Sequence, residues 1–126
     1  MIDAIFSNPT YAASKVLMDA AAQRQQAIAS NIANVETPGY KRVDIAKSFD
    51  ETFAAHLRAG EVSSLPEPTL EQDPNAVSTR MDGNNVQIDK ELLAMSSNSV
   101  QYDTLTEFVS GNLKQLQMAI SGNITA

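Results

Sequence analysis

The chain has 126 residues, 43% of them apolar and 19% charged, which is enough for one domain with a core and too apolar for a disordered chain. Its net charge of −6 argues against nucleic acid as the main partner, because phosphate binding needs a basic face. The absence of Cys removes disulfides, thiolate zinc sites and a Cys nucleophile, and the single His56 leaves no His cluster for a metal or a catalytic pair.

The first ordered element is a helix from about Pro9 into Ala33, with Asn8 as N-cap and Pro9 as first helical residue. Before it, Met1-Ile2-Asp3-Ala4-Ile5-Phe6 lacks the basic start and long apolar stretch of a secretory signal. The helix is rich in Ala, the best helix former, and Leu17, Ala21, Ile28, Ile32 and Val35 make a narrow apolar stripe. Thr37-Pro38-Gly39-Tyr40 then reads as a type II turn, Pro38 presetting φ and Gly39 supplying a positive φ. A shorter helix is expected from about Phe49 to Ala59. Ser48 and Glu51 are placed as a capping box, Phe49, Phe53 and Leu57 lie on one face, and Gly60 ends the helix.

From Glu61 to Thr79 the pattern stops. Pro66, Pro68 and Pro74 and a run of acids and amides predict an irregular segment, flexible or ordered by a partner. Asp82-Gly83, followed by Val86 and Ile88 alternating with polar residues, predicts a short hairpin. The last segment has the clearest period. Asp89 is placed to cap a helix from Lys90, with Ile88 and Leu93 as a hydrophobic staple. Leu92, Met95, Ser99, Tyr102, Thr106, Val109, Leu113, Leu116 and Ile120 follow at 3–4 spacing, a coiled-coil seam on a helix roughly 45 Å long. The expected architecture is therefore mostly α. Two long terminal helices pair as a coiled-coil-like layer, with a short middle helix, a Pro-rich loop and a short β-hairpin between them. The expected division is 9–35, 36–60, 61–89 and 90–121 within one domain. Two stripes this narrow must be buried against each other, against other subunits, or both.

Motifs for chemistry fail one by one. Placing Gly83 at the invariant glycine of a calcium loop puts Ser78 and Arg80 at ligand positions, which a cation site does not accept. No elbow marks a nucleophilic Ser, and no Gly-rich phosphate loop exists. The informative stretch is Ala29-Ser30-Asn31-Ile32-Ala33-Asn34 running into Thr37-Pro38-Gly39-Tyr40-Lys41. An Asn on a narrow seam costs stability and can fix register by hydrogen bonding across helices; equally, Asn31 and Asn34 can be ordinary helix-end residues.

The residues from Arg24, Gln25 and Ile28 through Asn31, Ile32 and Asn34 to Thr37, Pro38, Gly39 and Tyr40 resemble the N-terminal signature of the bacterial flagellar rod, hook and hook-associated axial proteins. Within that family, Arg80-Met81-Asp82-Gly83-Asn84-Asn85-Val86 resembles the proximal rod branch, although Gln87 stands where that branch carries an acid. The resemblance implies a structural subunit that is not an enzyme and has no cofactor, metal or small-molecule substrate. Its terminal helices would build a hollow tube in the periplasm that transmits torque. It implies export by the flagellar type III apparatus without a cleaved signal peptide, and no membrane-spanning segment. The implied partners are other copies and other rod subunits, the neighbouring rod protein FlgC, the adaptor FliE, and the membrane ring with its export gate. The rival readings are FlgC itself and, in a different class, a soluble helical-hairpin adaptor or export chaperone.

Overall fold

The computed structural model describes residues 8–78 and 80–122; the N-terminal Met1–Phe6 stretch read above, and Thr79, lie outside them. Helix α1 spans Pro9–Ala33, strand β1 Val43–Ile45, helix α2 Ser48–Ala59, strand β2 Leu70–Gln72 and helix α3 Ile88–Ser121, with a 3-10 turn at Val62–Ser64. Two long helices at the ends of the chain dominate, as expected from the sequence. Helix α1 starts as its residues dictate: the Asn8 carboxamide oxygen accepts the Thr10 N–H at 2.9 Å and Pro9 follows it.

Helices α1 and α3 run antiparallel. Asn31 meets Glu91 at one end of the contact, and ten residues earlier in α1 Ala21 meets Asn98. The face that α1 gives to α3 includes the buried Ala21, Ile28 and Asn31, with Ala27 also buried. A separate apolar cluster joins Ala13 and Ala20 of α1 to Ile45, Phe49 and Phe53, with Val16, Leu17 and Leu65 at its edge. The Phe49 and Phe53 rings stack with centroids 5.6 Å apart. The Phe49 and Phe53 side chains carry α2 into this cluster against Ala13 and Ala20; Leu57, the third residue of that expected face, stays exposed.

Four expectations are corrected. The segment from Glu61 is not structureless, because β2 pairs antiparallel with β1, in the register Val43↔Gln72, Asp44↔Glu71 and Ile45↔Leu70. Three residues are too few to show a period-2 pattern, and Pro66, Pro68 and Pro74 lie just outside the strand, where their missing N–H breaks no pairing. Second, no strand forms at Arg80–Ile88. Gly83 makes the turn with φ 78°, but Asn84, Asn85 and Val86 are all buried in succession, which a half-buried hairpin forbids. Third, α3 begins at Ile88 with Gln87 as its N-cap, so Asp89 lies inside the first turn, and Leu93 is too exposed to serve as a staple. Fourth, Lys47 occupies the N-cap of α2 without a side-chain cap bond, so the Ser48–Glu51 capping box is not made.

Candidate functional site

The signature residues converge where α1 ends. Asn31, in the last turn, is fully buried. Its two N–H groups donate to the Val43 carbonyl at 2.9 Å and to Glu91 Oε2 at 3.1 Å. Its oxygen accepts the Val43 N–H at 2.9 Å and the Tyr40 hydroxyl at 3.2 Å. All four hydrogen-bonding positions of the amide are thus filled. The side chain pairs with Val43 as a strand neighbour would, and so fastens β1 to α1. The Ser30 hydroxyl lies 3.1 Å from Tyr40 Oη and completes the chain.

Glu91 is the second fully buried member. A buried carboxylate needs a partner charge and further hydrogen bonds. It has both: Oε1 accepts from Arg42 Nε, and Oε2 from Asn31. Arg42 holds three carboxylates at once, reaching Asp73 at 2.7 Å and Asp44 at 3.0 Å with its two terminal nitrogens. Burial of the guanidinium lowers its basicity, but the hydrogen bond and charge of Glu91 and the charge of Asp44 more than offset this, so it is held above its ordinary value. Its backbone N–H donates to Asn85 Oδ1 at 2.6 Å, and its carbonyl accepts from the Asp73 N–H. Arg24 Nε, about two turns before Asn31 on α1, reaches Asp44 at 3.2 Å. One arginine, Arg42, therefore ties α3, β1 and the residue after β2 together.

The turn expected at Thr37-Pro38-Gly39-Tyr40 forms, with Gly39 at φ 73° and the Tyr40 N–H on the Thr37 carbonyl. The Asp82–Asn85 stretch packs against it. Asn84 is fully buried, and its amide nitrogen lies 2.9, 3.0 and 2.9 Å from the carbonyl oxygens of Asn34, Val35 and Thr37. Those carbonyls lie past the end of α1, beyond its helical N–H groups; the Thr37 and Tyr40 N–H groups reach those of Asn34 and Thr37, and Asn84 adds a side-chain donor to all three. Arg80 adds a guanidinium on the Val35 carbonyl, a favourable charge at a helix C-terminus. The Asp82 carbonyl accepts the Gly39 N–H at 2.8 Å, and Lys41 Nζ reaches the Gly83 carbonyl at 2.6 Å. The two stretches that carried the resemblance, about forty residues apart in sequence, thus form one clamp. Replacing Asn84 with Ala is expected to cost about 1–3 kcal/mol, because the Val86 N–H that donates to Asn84 Oδ1 at 2.8 Å is left buried and unsatisfied. Faster hydrogen exchange at Asn31–Val35 than in the parent would register it.

The placement of the other expected residues is uneven. Gln25 Oε1 accepts from Asn98 at 3.1 Å, Ile28 is buried, Ile32 and Asn34 are half-buried, and Thr37, Pro38 and Gly39 are exposed. In α3 the expected seam is displaced. Glu91 and Asn98 are buried against α1 and Met95, Leu105 and Val109 are half-buried, whereas Leu92 and Tyr102 keep 46% and 40% of their surface exposed. The packed heptad runs through Glu91, Asn98 and Leu105, with Met95, Tyr102 and Val109 beside it. A search for apolar spacing passes over it because its two most buried positions are polar. Leu116 is half-buried, and Leu113 and Ile120 are 44% and 64% exposed. Glu91, Asn98, Arg42 and Asp73 were not among the residues singled out from the sequence; the one available signal was an acid in the first turn of a helix.

Residues 18–41 match the family described as flagella basal body rod protein. The chain is 31% identical to the flagellar basal body rod protein FlgB of Escherichia coli (strain K12), over 81% of this chain and 86% of that protein. It is 29% identical to FlgB of Bacillus subtilis (strain 168), over 79% and 83% respectively, and 31% identical to FlgB of Salmonella typhimurium, over 80% and 85%. The matched residues 18–41 include those that the clamp engages at the end of α1, and the similarity runs on through the elements that close it. The chain belongs to the flagellar basal body rod proteins, in the company of the FlgB proteins.

Proposed function

We propose that the chain is a structural subunit of the proximal part of the rod, without catalytic activity, that assembles through its terminal helices into a hollow periplasmic shaft carrying torque. The observation that carries this reading is the apolar surface that α3 leaves uncovered. One face of its first half is locked to α1 through Asn31, Glu91 and Asn98, while Leu93 and Val100 on that half and Leu113 and Ile120 on the second stay exposed. A clamped hairpin with an uncovered apolar continuation is built to bury that surface against a neighbour. Contacts between unlike surfaces whose rotation does not close into a ring add copies in a helical array, the arrangement this reading requires. No helix among the described residues is long and apolar enough to cross a membrane. The neighbours in this reading are other copies, FlgC, FliE and the membrane ring with its export gate, reached by type III export without signal cleavage. The single His56 sits on α2, with its ring against the Thr52 carbonyl and Glu61, a local helix-end role.

Leu113→Asp tests this. Leu113 is part-exposed, so the variant is expected to fold with parental helix content, yet fail to restore rods in a motile bacterium lacking its own subunit. A buried unpaired charge costs several kcal/mol at an assembly contact. Gln115→Ala, on the opposite side of the helix, is expected to assemble. Electron microscopy of basal bodies and soft-agar motility read both. Normal rods with Leu113→Asp would exclude the second half of α3 from assembly.

A further inference from the structure

Asn98 carries an unmet demand. Its side chain is buried, and both its N–H groups donate, to the Ala21 carbonyl at 2.9 Å and to Gln25 at 3.1 Å. A backbone carbonyl can only accept, so the amide cannot be turned round, and Oδ1 is the acceptor that points elsewhere. Among the described residues that oxygen is buried without a hydrogen-bond partner. Such a group calls for a donor. Asn98 lines a cavity of about 340 Å³ between α1 and α3, with Ala21, Ala22, Gln25, Ser99, Tyr102 and Asp103 around it. The groove therefore offers an orphan acceptor, a carboxylate and the side of an aromatic ring.

We infer that this groove receives the end of α3, residues 111–121, from a second copy of the chain, with Lys114 as the donor; the inference rests on the rod reading and specifies its contact. Three observations select this occupant. The antiparallel pairing of Asn31 with Glu91 and of Ala21 with Asn98, continued at 1.5 Å per residue, brings Pro9 level with about position 110 of α3. The residues beyond it extend past the described part of α1, with Leu113 and Ile120 exposed. Lys114 is the one basic residue between Glu91 and the end of the sequence, and the groove carries Asp103, with Glu107 one turn further along α3. An ammonium group has three donors and no acceptor, enough to meet both Asn98 Oδ1 and the Asp103 carboxylate. Ser99 and Lys114 are about 22 Å apart on one helix, so groove and tail are separate surfaces and their contact propagates from copy to copy.

The absence of Cys makes the test direct. Ser99→Cys in the groove and Gln117→Cys on the tail are combined in one chain, expressed in a bacterium lacking its own subunit, and treated with a short bismaleimide reagent in isolated basal bodies. The two positions lie about 27 Å apart in one chain, beyond the reagent's reach, so a product larger than a monomer reports a contact between copies. A ladder of cross-linked species is expected from the double-Cys chain, and single dimers from basal bodies containing a mixture of the two single-Cys chains. Adding Lys114→Glu should abolish the ladder, and adding Asp103→Lys to that variant should restore it. Monomer alone in basal bodies that contain the chain would overturn the proposal, as would a ladder indifferent to Lys114→Glu. Absence of the chain from the basal-body fraction would instead overturn the rod reading on which the inference rests.

Discussion

Arg42→Ala is expected to lower the folding stability of the chain by about 3–5 kcal/mol, the cost of breaking a buried ion pair from one side. The magnitude follows from Glu91. Its carboxylate is fully buried, and Arg42 is the one cation that reaches it among the described residues. Removing the guanidinium leaves that charge held by Asn31 alone. It also frees Asp44 and Asp73, but these carboxylates are partly in water and lose less. The double variant Arg42→Met/Glu91→Gln separates the terms. It leaves no charge stranded, and the carboxamide oxygen that replaces the carboxylate can still accept from Asn31, so stability should return by more than half of the loss. Urea unfolding followed by circular dichroism measures both. If the double variant is no more stable than Arg42→Ala, the carboxylates on β1 and after β2, not Glu91, dominate the network.

Asn31→Leu is expected to destabilise by about 2–4 kcal/mol, although leucine favours helix and would bury more apolar surface. The gain has an upper bound of ~1.5–3 kcal/mol for a fully enclosed side chain. Against it stand four hydrogen bonds. The Val43 N–H and carbonyl, the Tyr40 hydroxyl and Glu91 Oε2 each lose a partner in a partly or fully dry setting, at about 1–3 kcal/mol for each group left unsatisfied. Water reaches Val43 and Tyr40, which are half-buried, and this keeps the net loss below the sum. Thermal unfolding of the soluble protein reads the stability. Hydrogen exchange at Val43–Ile45 reads the detachment of β1, which should open before α1 does. A neutral or stabilised variant would leave Asn31 as an ordinary helix-end residue, the other reading the sequence allowed.

The two variants show why the clamp was half legible. Its α1 side could be seen in the sequence, because Asn31, Tyr40 and the Pro38-Gly39 turn lie within ten residues of one another and two asparagines at a helix end are chemically conspicuous. Its other side could not. Nothing local marks Glu91 as buried, since an acid in the first turn of a helix is favoured on the surface too. Asn84 beside Gly83 suggests a hairpin turn, and only the Asn34, Val35 and Thr37 carbonyls gathered past the end of α1 give its amide a different use.

The sequence by itself determined the helices. Asn8-Pro9, the Ala-rich run, the Phe49/Phe53 spacing and the 3–4 period after Ile88 act within a few turns, so each element follows from its own residues. Gly39, Gly60 and Gly83 take positive φ where turn chemistry requires it. Only the tertiary structure decided which face of α3 meets α1, how residues 61–78 are used and what the polar residues are for. The face was set by Glu91 and Asn98, whose burial is tolerable only because Arg42, Asn31, Ala21 and Gln25 stand opposite them. The strand β2 exists because β1 offers it a partner, and β1 is held on α1 by the Asn31 side chain together with the Arg24–Asp44 pair and the burial of Ile45. A polar group gains its place in a core from partners distant in sequence, and no local pattern contains them.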